Sequence, residues 1–232
     1  MKKLLYLLPI LLGLLAIPAR AAEQELRGMW VSSVYNLDYP SKTGLSADEL
    51  RAEADALLDM AEKCGLNTVV LQVRPAADSL YASRFFPWSI YLSGQQGVSA
   101  PGGFDPLAYF IKQGHARGIA IHAWCNPYRV TKTSAPSREA ALASLCAWHP
   151  ARKNPELVVY HTDGNLYFNP SDPTAAELIL RGMFEIVENY DIDAIHLDDY
   201  FYPSADFDDA AAFAKYGGDY TDLGDFRRAS VT

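Results

Sequence analysis

The sequence predicts an α/β protein of the parallel (β/α)8, TIM-barrel type, carried through about four β/α units. Three observations predict it. Short apolar runs of strand length alternate with helical stretches that open on Ser or Asp-Pro and close on Gly. Half of the 232 residues are hydrophobic, and no repeat, low-complexity tract or linker interrupts them, so one core is expected after the N-terminal segment. The fourth apolar run, Ala194-Ile195-His196-Leu197, passes directly into Asp198-Asp199-Tyr200-Phe201-Tyr202-Pro203. Carboxylates and aromatics at the end of a buried strand are what a parallel barrel presents at its C-terminal mouth.

Taken in order, residues 27–33 read as the first strand. A helix follows over 46–63, with Ser46 as N-cap, Glu49 completing a capping box and Gly65 just past its end. Residues 68–73 form the second strand. Asp105-Pro106 starts a helix by N-cap and N1 proline, and Gly118 stops it. The third strand covers 119–124. Asp172-Pro173 repeats the helix start, that helix runs to about Tyr190, and 194–197 is the fourth strand. Strand alternating with helix argues for parallel pairing through right-handed crossovers.

Two connections are long. Residues 74–104 hold Tyr81, Phe85, Phe86, Trp88 and Tyr91; residues 125–170 hold Trp148, a short helix near 137–147 and a hairpin of 158–160 with 166–168. Both follow strands, so both are expected on the Asp198 side, as a lining for a site.

The N-terminus reads as an export signal. Lys2-Lys3 precede an apolar stretch from Leu4 to Ile17, and Pro18-Ala19-Arg20-Ala21 supplies small residues for cleavage after Ala21. The division is therefore 1–21 signal peptide and 22–232 barrel domain, exported to the periplasm or beyond, with no stable membrane insertion after cleavage. Removing Lys2, Lys3 and Arg20 takes the net charge from −8 to −11. That sign argues against nucleic acid, which is held by Lys and Arg on phosphate. Cys64, Cys125 and Cys146 show neither CxxC nor zinc spacing, and three buried thiols are expected rather than a disulfide framework. No cofactor or metal is called for.

Alternation along the strands selects the candidates. With Val69, Leu71 and Val73 toward the helices, Gln72 and Arg74 face inward; with Ile195 and Leu197 toward the helices, His196 and Asp198 face inward. His122, Trp124 and Asn126 form the inward set of strand three, and Trp30 and Ser32 that of strand one. Four strands thus send polar or aromatic side chains to one point near their C-terminal ends. Asp198 is the expected nucleophile or charge-stabilising carboxylate. Asp199 leans the other way, as a supporting residue or a ligand to a sugar hydroxyl. His196, or Arg74 if it points there, is the cation expected to hold the charge on Asp198. Tyr200 and Tyr202 add flat rings suited to pyranose faces. The same residues also admit a plainer reading, Asp198 and Asp199 capping a loop and the inward set forming a hydrogen-bonded layer.

At these residues the chain resembles the glycosyl-hydrolase-like 10 family. The motifs are Leu26-Arg27-Gly28-Met29-Trp30-Val31, Leu66-Asn67-Thr68 with Gln72-Val73-Arg74, His122-Ala123-Trp124 with Asn126-Pro127-Tyr128-Arg129, and Ile195 to Pro203, with Trp148-His149-Pro150 and Phe168-Asn169-Pro170 fitting the same pattern. The resemblance implies an exported bacterial (β/α)8 glycosidase fold, a strand-four Asp as nucleophile and an acid from a later strand. It adds Tyr128 and Asn169 to the binding candidates, and bacterial cell-wall glycan, peptidoglycan strands included, to the candidate substrates.

Four strands are used by Leu197, whereas a closed barrel needs eight and typically ~250 residues. The chain is therefore expected to end within the fourth crossover, with the general acid beyond it and little hydrolase activity by itself. The leading reading is a glycoside hydrolase with a polysaccharide partner. Two others stay open: a non-catalytic glycan-binding barrel, and a metal-dependent polysaccharide deacetylase using Asp-Asp as ligands.

Overall fold

The computed structural model describes residues 25–198 and 201–231; the predicted signal peptide, Asp199 and Tyr200 lie outside the described residues. The first β/α unit is β1 (Gly28–Val31) and α1 (Ala47–Lys63). Ser46 caps α1: its backbone N–H donates to Glu49 Oε2 at 2.8 Å, and its hydroxyl accepts from Glu49 N at 3.3 Å. Leu50, Ala54, Leu58 and Ala61 then form the buried stripe that a 3.6-residue period produces. β2 (Thr68–Arg74) follows, then the four-residue α2 (Ile90–Ser93) and α3 (Pro106–Ala116). Asp105 Oδ1 accepts from Ala108 N at 3.0 Å. Gly118, at φ +69, turns the chain out of α3 in the left-handed region that disfavours other residues.

β3 (Ala120–Cys125) leads into a long excursion holding α4 (Arg138–Ser144), α5 (Pro150–Lys153) and the antiparallel hairpin β4 (Val158–Tyr160) and β5 (Leu166–Phe168). α6 (Pro173–Asn189) opens on Asp172, whose Oδ1 accepts from Thr174 N at 2.8 Å, and it precedes β6 (Ala194–Leu197). Beyond lie α7 (Ala210–Tyr216) and α8 (Leu223–Ser230). The main sheet is parallel, in the order β1-β2-β3-β6. Four β/α units laid down consecutively, with no reversal of strand order, make a partial (β/α)8-type barrel; a doubly wound sheet would reverse direction.

The helix side of the sheet carries the core. Val31, Val69, Leu71, Val73, Ile121, Ala123 and Cys125 pack against Leu50, Leu58, Leu107 and Phe110 of α1 and α3. A second cluster lies beneath the two long connections, where Phe86, Val130, Leu157, Leu166 and Phe168 meet Ala175 and Ile179 of α6. Tyr81, Phe86 and Phe168, expected to line a site, are fully enclosed instead. The connections are long enough to need a core of their own, and the large rings supply it.

The elements differ from expectation mainly at their edges. α2 and α5 lie within the two long connections, each too short to show a helical period. The cysteines are also corrected: all three are free, but only Cys125 is buried, Cys146 is half-buried and Cys64 is exposed where α1 ends. No helix of the described residues is long and apolar enough to cross a membrane.

Candidate active site

The inner face of the sheet carries the residues that alternation assigned to it, with one exception. Parallel registers of Gln72 with Trp124 and Trp124 with His196 set three strands side by side, so side chains at the same level meet. Trp30 meets the edge of Trp124 with ring centroids 4.7 Å apart, and of His196 at 4.5 Å. It remains 50% exposed and so offers its ring to a ligand. His122 stacks on His196 at 6.4 Å, and burial together with the neighbouring imidazole lowers its pKa.

A chain of amides runs across the C-terminal ends of the strands. Gln72 Oε1 accepts from the backbone N–H of Ser33 and of Val34, each at 2.9 Å, and from the Ser32 hydroxyl at 3.0 Å. Gln72 Nε2 donates to Asn126 Oδ1 at 2.6 Å, and Asn126 Nδ2 donates to Asp198 Oδ1, also at 2.6 Å. Gln72 and Asn126 are both buried, so these bonds form away from bulk water, where unmade ones cost most. The bond that reaches Asp198 thus comes from Asn126, whereas His196 turns its ring to Trp30 and His122. Cys125, behind the mouth, has its thiol pushed up to about 11 by burial, with Arg74 opposing and Asp198 adding to the rise.

Arg74 is the exception and a correction. The β2–β3 register slips between Gln72 and Arg74, so that Arg74, not Val73, pairs with Cys125. The extra residue is a bulge, and it cancels one step of alternation. Arg74 is fully buried on the helix side, its guanidinium 3.9 Å from the centre of the Phe86 ring. A Cβ on Gly182 of α6 would sit 2.8 Å from Arg74 Nη1 and 2.4 Å from Phe86, so glycine there lets the helix close over the cation. Arg74 therefore does not join the group around Asp198.

The remaining candidates build the rim. Tyr128 meets Phe201 edge-on at 6.1 Å, and both border an apolar cleft of about 360 Å³ shared with Leu197, Met183 and Ile179. Burial and the nearby Tyr202 raise the Tyr128 pKa. Tyr202 hydrogen-bonds Ser171 at 2.5 Å and lies under Arg227 at 5.2 Å, tying the segment after β6 to α8. Asn169 sits apart from Asp198's amide chain. Its Oδ1 accepts from Ser171 N at 2.9 Å, and it lines a groove of about 540 Å³ between the hairpin and α7, with Tyr160, Asp208, Lys215 and Tyr216. At the opposite, N-terminal end of the strands, Asp193 accepts from Ile121 N at 2.7 Å and pairs with His115 at 2.9 Å. Burial would raise the Asp193 carboxyl, but these bonds hold it below the usual range. In such barrels that end is structural.

Two participants escaped the sequence reading. Gln72 was placed inward but without a role; its signal was a lone amide inside the apolar run Thr68–Val73. Tyr35 was missed altogether. It and Asn36 have φ of 58 and 54, a strained pair just after β1, and its ring stands half exposed at the mouth with its hydroxyl donating to Lys132 O at 2.8 Å. Strain of this kind gathers where a chain presents side chains to a ligand.

A parallel barrel sheet with a carboxylate at a strand mouth, hydrogen-bonded from within and flanked by exposed indole, defines a glycosidase-like protein. The chain belongs to the glycosyl hydrolase-like 10 family, whose sequence model matches residues 25–231. Glycosyl hydrolase YngK of Bacillus subtilis (strain 168) is 42% identical over 237 residues, which cover 97% of this chain and 45% of that protein. Glycosyl hydrolase DigH of Escherichia coli (strain K12) is 31% identical over 223 residues, covering 89% and 49% respectively. The chain thus spans about half the length of these curated relatives. Among solved structures, alpha-L-fucosidase isoenzyme 2 from Paenibacillus thiaminolyticus superposes with a TM-score of 0.48 at 14% identity, over 75% of this chain and 23% of that one.

Proposed function

We propose that the protein is exported and hydrolyses glycosidic bonds of a bacterial polysaccharide, with peptidoglycan glycan strands the first substrate to test. Asp198 serves as nucleophile or as the charge that stabilises an oxocarbenium-like transition state. The observation that carries the reading is the placement of Asp198 at the end of β6, held by Asn126 on the face that presents Trp30 and Trp124. Family membership and the printed names of YngK and DigH support a glycan as substrate. Trp30, exposed on that face, supplies the flat apolar surface on which a pyranose ring stacks. The N-terminal pattern of Lys2-Lys3 and the apolar run after it supports export.

The test uses the protein expressed from its whole open reading frame and purified glycan strands. Wild type is expected to release reducing ends. Asp198→Asn keeps the shape and removes the charge, so it should lose activity by roughly three orders of magnitude or more while retaining binding. Equal activity of the two would remove Asp198 from the mechanism. Binding without release of reducing ends by wild type would make the protein a glycan-binding barrel, and release of acetate alone would make it a deacetylase.

A further inference from the structure

We infer that Gln72 is a positioning residue, whose amide fixes the orientation of Asn126 and so delivers an N–H donor, rather than a carbonyl, to Asp198. The inference rests on the reading of Asp198 as the working carboxylate. Its basis is the sense of the hydrogen bonds. An amide side chain can be turned end for end at almost no steric cost, so what surrounds it must decide which way it points. Here the decision is made by the backbone. The N–H groups of Ser33 and Val34 can only donate, and both are 2.9 Å from the same atom of Gln72, which must be the carbonyl oxygen. The amide nitrogen then faces Asn126, whose oxygen must accept at 2.6 Å; the Asn126 nitrogen is left facing Asp198. Turning any member would oppose two donors or two acceptors in a buried place.

Three strands and the strained turn at Val34–Asn36 are thereby linked in one direction, from the main chain after β1 to the carboxylate on β6. Asn126 was a binding candidate, but its oxygen and nitrogen are engaged on both sides and it is 3% exposed, so it acts through Asp198 rather than on a sugar. Few titratable groups complicate the arrangement: Cys125 faces Asp198 from behind on β3, His196 and His122 lie below it on the inner face, and Asp199 and Tyr200 lie outside the described residues.

Replacing one NH2 by one oxygen reverses the message. In Gln72→Glu, one carboxylate oxygen keeps the two backbone donors and the other faces the Asn126 oxygen. With the introduced carboxylate ionised, as its own carbon-13 Cδ signal reads, Asn126 turns to donate to it and presents its carbonyl to Asp198, acceptor to acceptor. The whole-open-reading-frame protein is labelled at Asp Cγ with carbon-13, the Asp198 signal being assigned by its loss in Asp198→Asn. Titration of that signal is followed beside glycan hydrolysis for wild type and Gln72→Glu. The expected result is that Asp198 titrates at higher pH in Gln72→Glu than in wild type. Expected with it are a fall in kcat of roughly tenfold or more, KM nearly unchanged, and an acid limb of the pH–activity profile displaced upward. An unchanged Asp198 titration in folded Gln72→Glu overturns the inference. If Gln72→Glu does not fold, Gln72→Met, which removes the directing amide without adding a charge, is expected to shift the titration in the same direction, and an unchanged titration there overturns it equally. If wild type cleaves no glycan, the proposed function fails while the titration still decides the role of Gln72.

Discussion

Two buried groups in neighbouring loops should tilt stability with pH in opposite directions and hide each other. His149 caps α5, its Nδ1 accepting from Ala151 N at 3.1 Å, and burial pushes its pKa down to about 4. Asp78, in the connection after β2, is pushed up to about 6 by burial, against hydrogen bonds from Gln96 and Ser89. The unfolded chain protonates His149 near pH 6.5, whereas the folded chain does so only near 4. Its contribution is therefore complete above pH 6.5 and is lost as pH falls toward 4. At 1.36 kcal/mol per pH unit the loss is about 3 kcal/mol. Asp78 runs the other way. The folded chain keeps a proton that the unfolded chain releases near 3.8, so its contribution is complete below 3.8 and lost as pH rises to about 6. That loss too is about 3 kcal/mol.

Between pH 4 and 6 the two slopes cancel in wild type. Relative to wild type, Asp78→Asn should lose about 3 kcal/mol as pH falls from about 6 to 3.8, and His149→Asn about 3 kcal/mol as pH rises from about 4 to 6.5. Urea unfolding at half-unit pH steps reads both, since the constant cost of each substitution drops out of the slope. Two variants with slopes of the same sign, or with no slope relative to wild type, would refute the reasoning.

Three further outcomes are expected. Gly182→Ala places a methyl group 2.4 Å from Phe86 and 2.8 Å from Arg74, and should cost roughly 1–3 kcal/mol in thermal unfolding, more than any exposed Gly→Ala in the chain. Trp30→Ala should raise KM for glycan by roughly tenfold with a smaller change in kcat, as loss of a stacking surface worth ~1.5 kcal/mol predicts; a change in kcat alone would assign Trp30 another part. Leu180, Phe184 and Val187 of α6 are more than half exposed, so the 232-residue chain expressed by itself should self-associate, and Leu180→Asp with Phe184→Asp should shift its sedimentation toward monomer.

Where local chemistry dictates geometry, the sequence was readable. Ser46 with Glu49, Asp105-Pro106 and Asp172-Pro173 begin helices because a short polar side chain satisfies free N–H groups and proline is already bent for the first turn, and all three helices start there. Alternation placed Trp30, Trp124, Asn126, His196 and Asp198 on one face because period two is a property of the strand itself. It failed at Arg74 because a bulge depends on the neighbouring strand, and nothing in Gln72-Val73-Arg74 announces one. It could not tell that Asn126 rather than His196 reaches Asp198, since alternation gives a face and not a reach. The aromatics of the long connections misled for another reason. A ring that covers a loop core and a ring that meets a sugar have the same composition, and Phe86 and Phe168 are of the first kind.

The bulge in β2 also changes which side chain stands on the inner wall of the sheet. Had alternation continued, a guanidinium would stand on the wall that faces Asp198, and the two charges would close on each other. Enclosing Arg74 against Phe86 leaves that wall with indole, imidazole and neutral amide among the described inward residues of the four strands. No arginine or lysine of the sheet therefore stands beside Asp198 among the described inward residues of the four strands. One residue of extra chain in this way decides that a neutral amide, and not a guanidinium, neighbours the carboxylate.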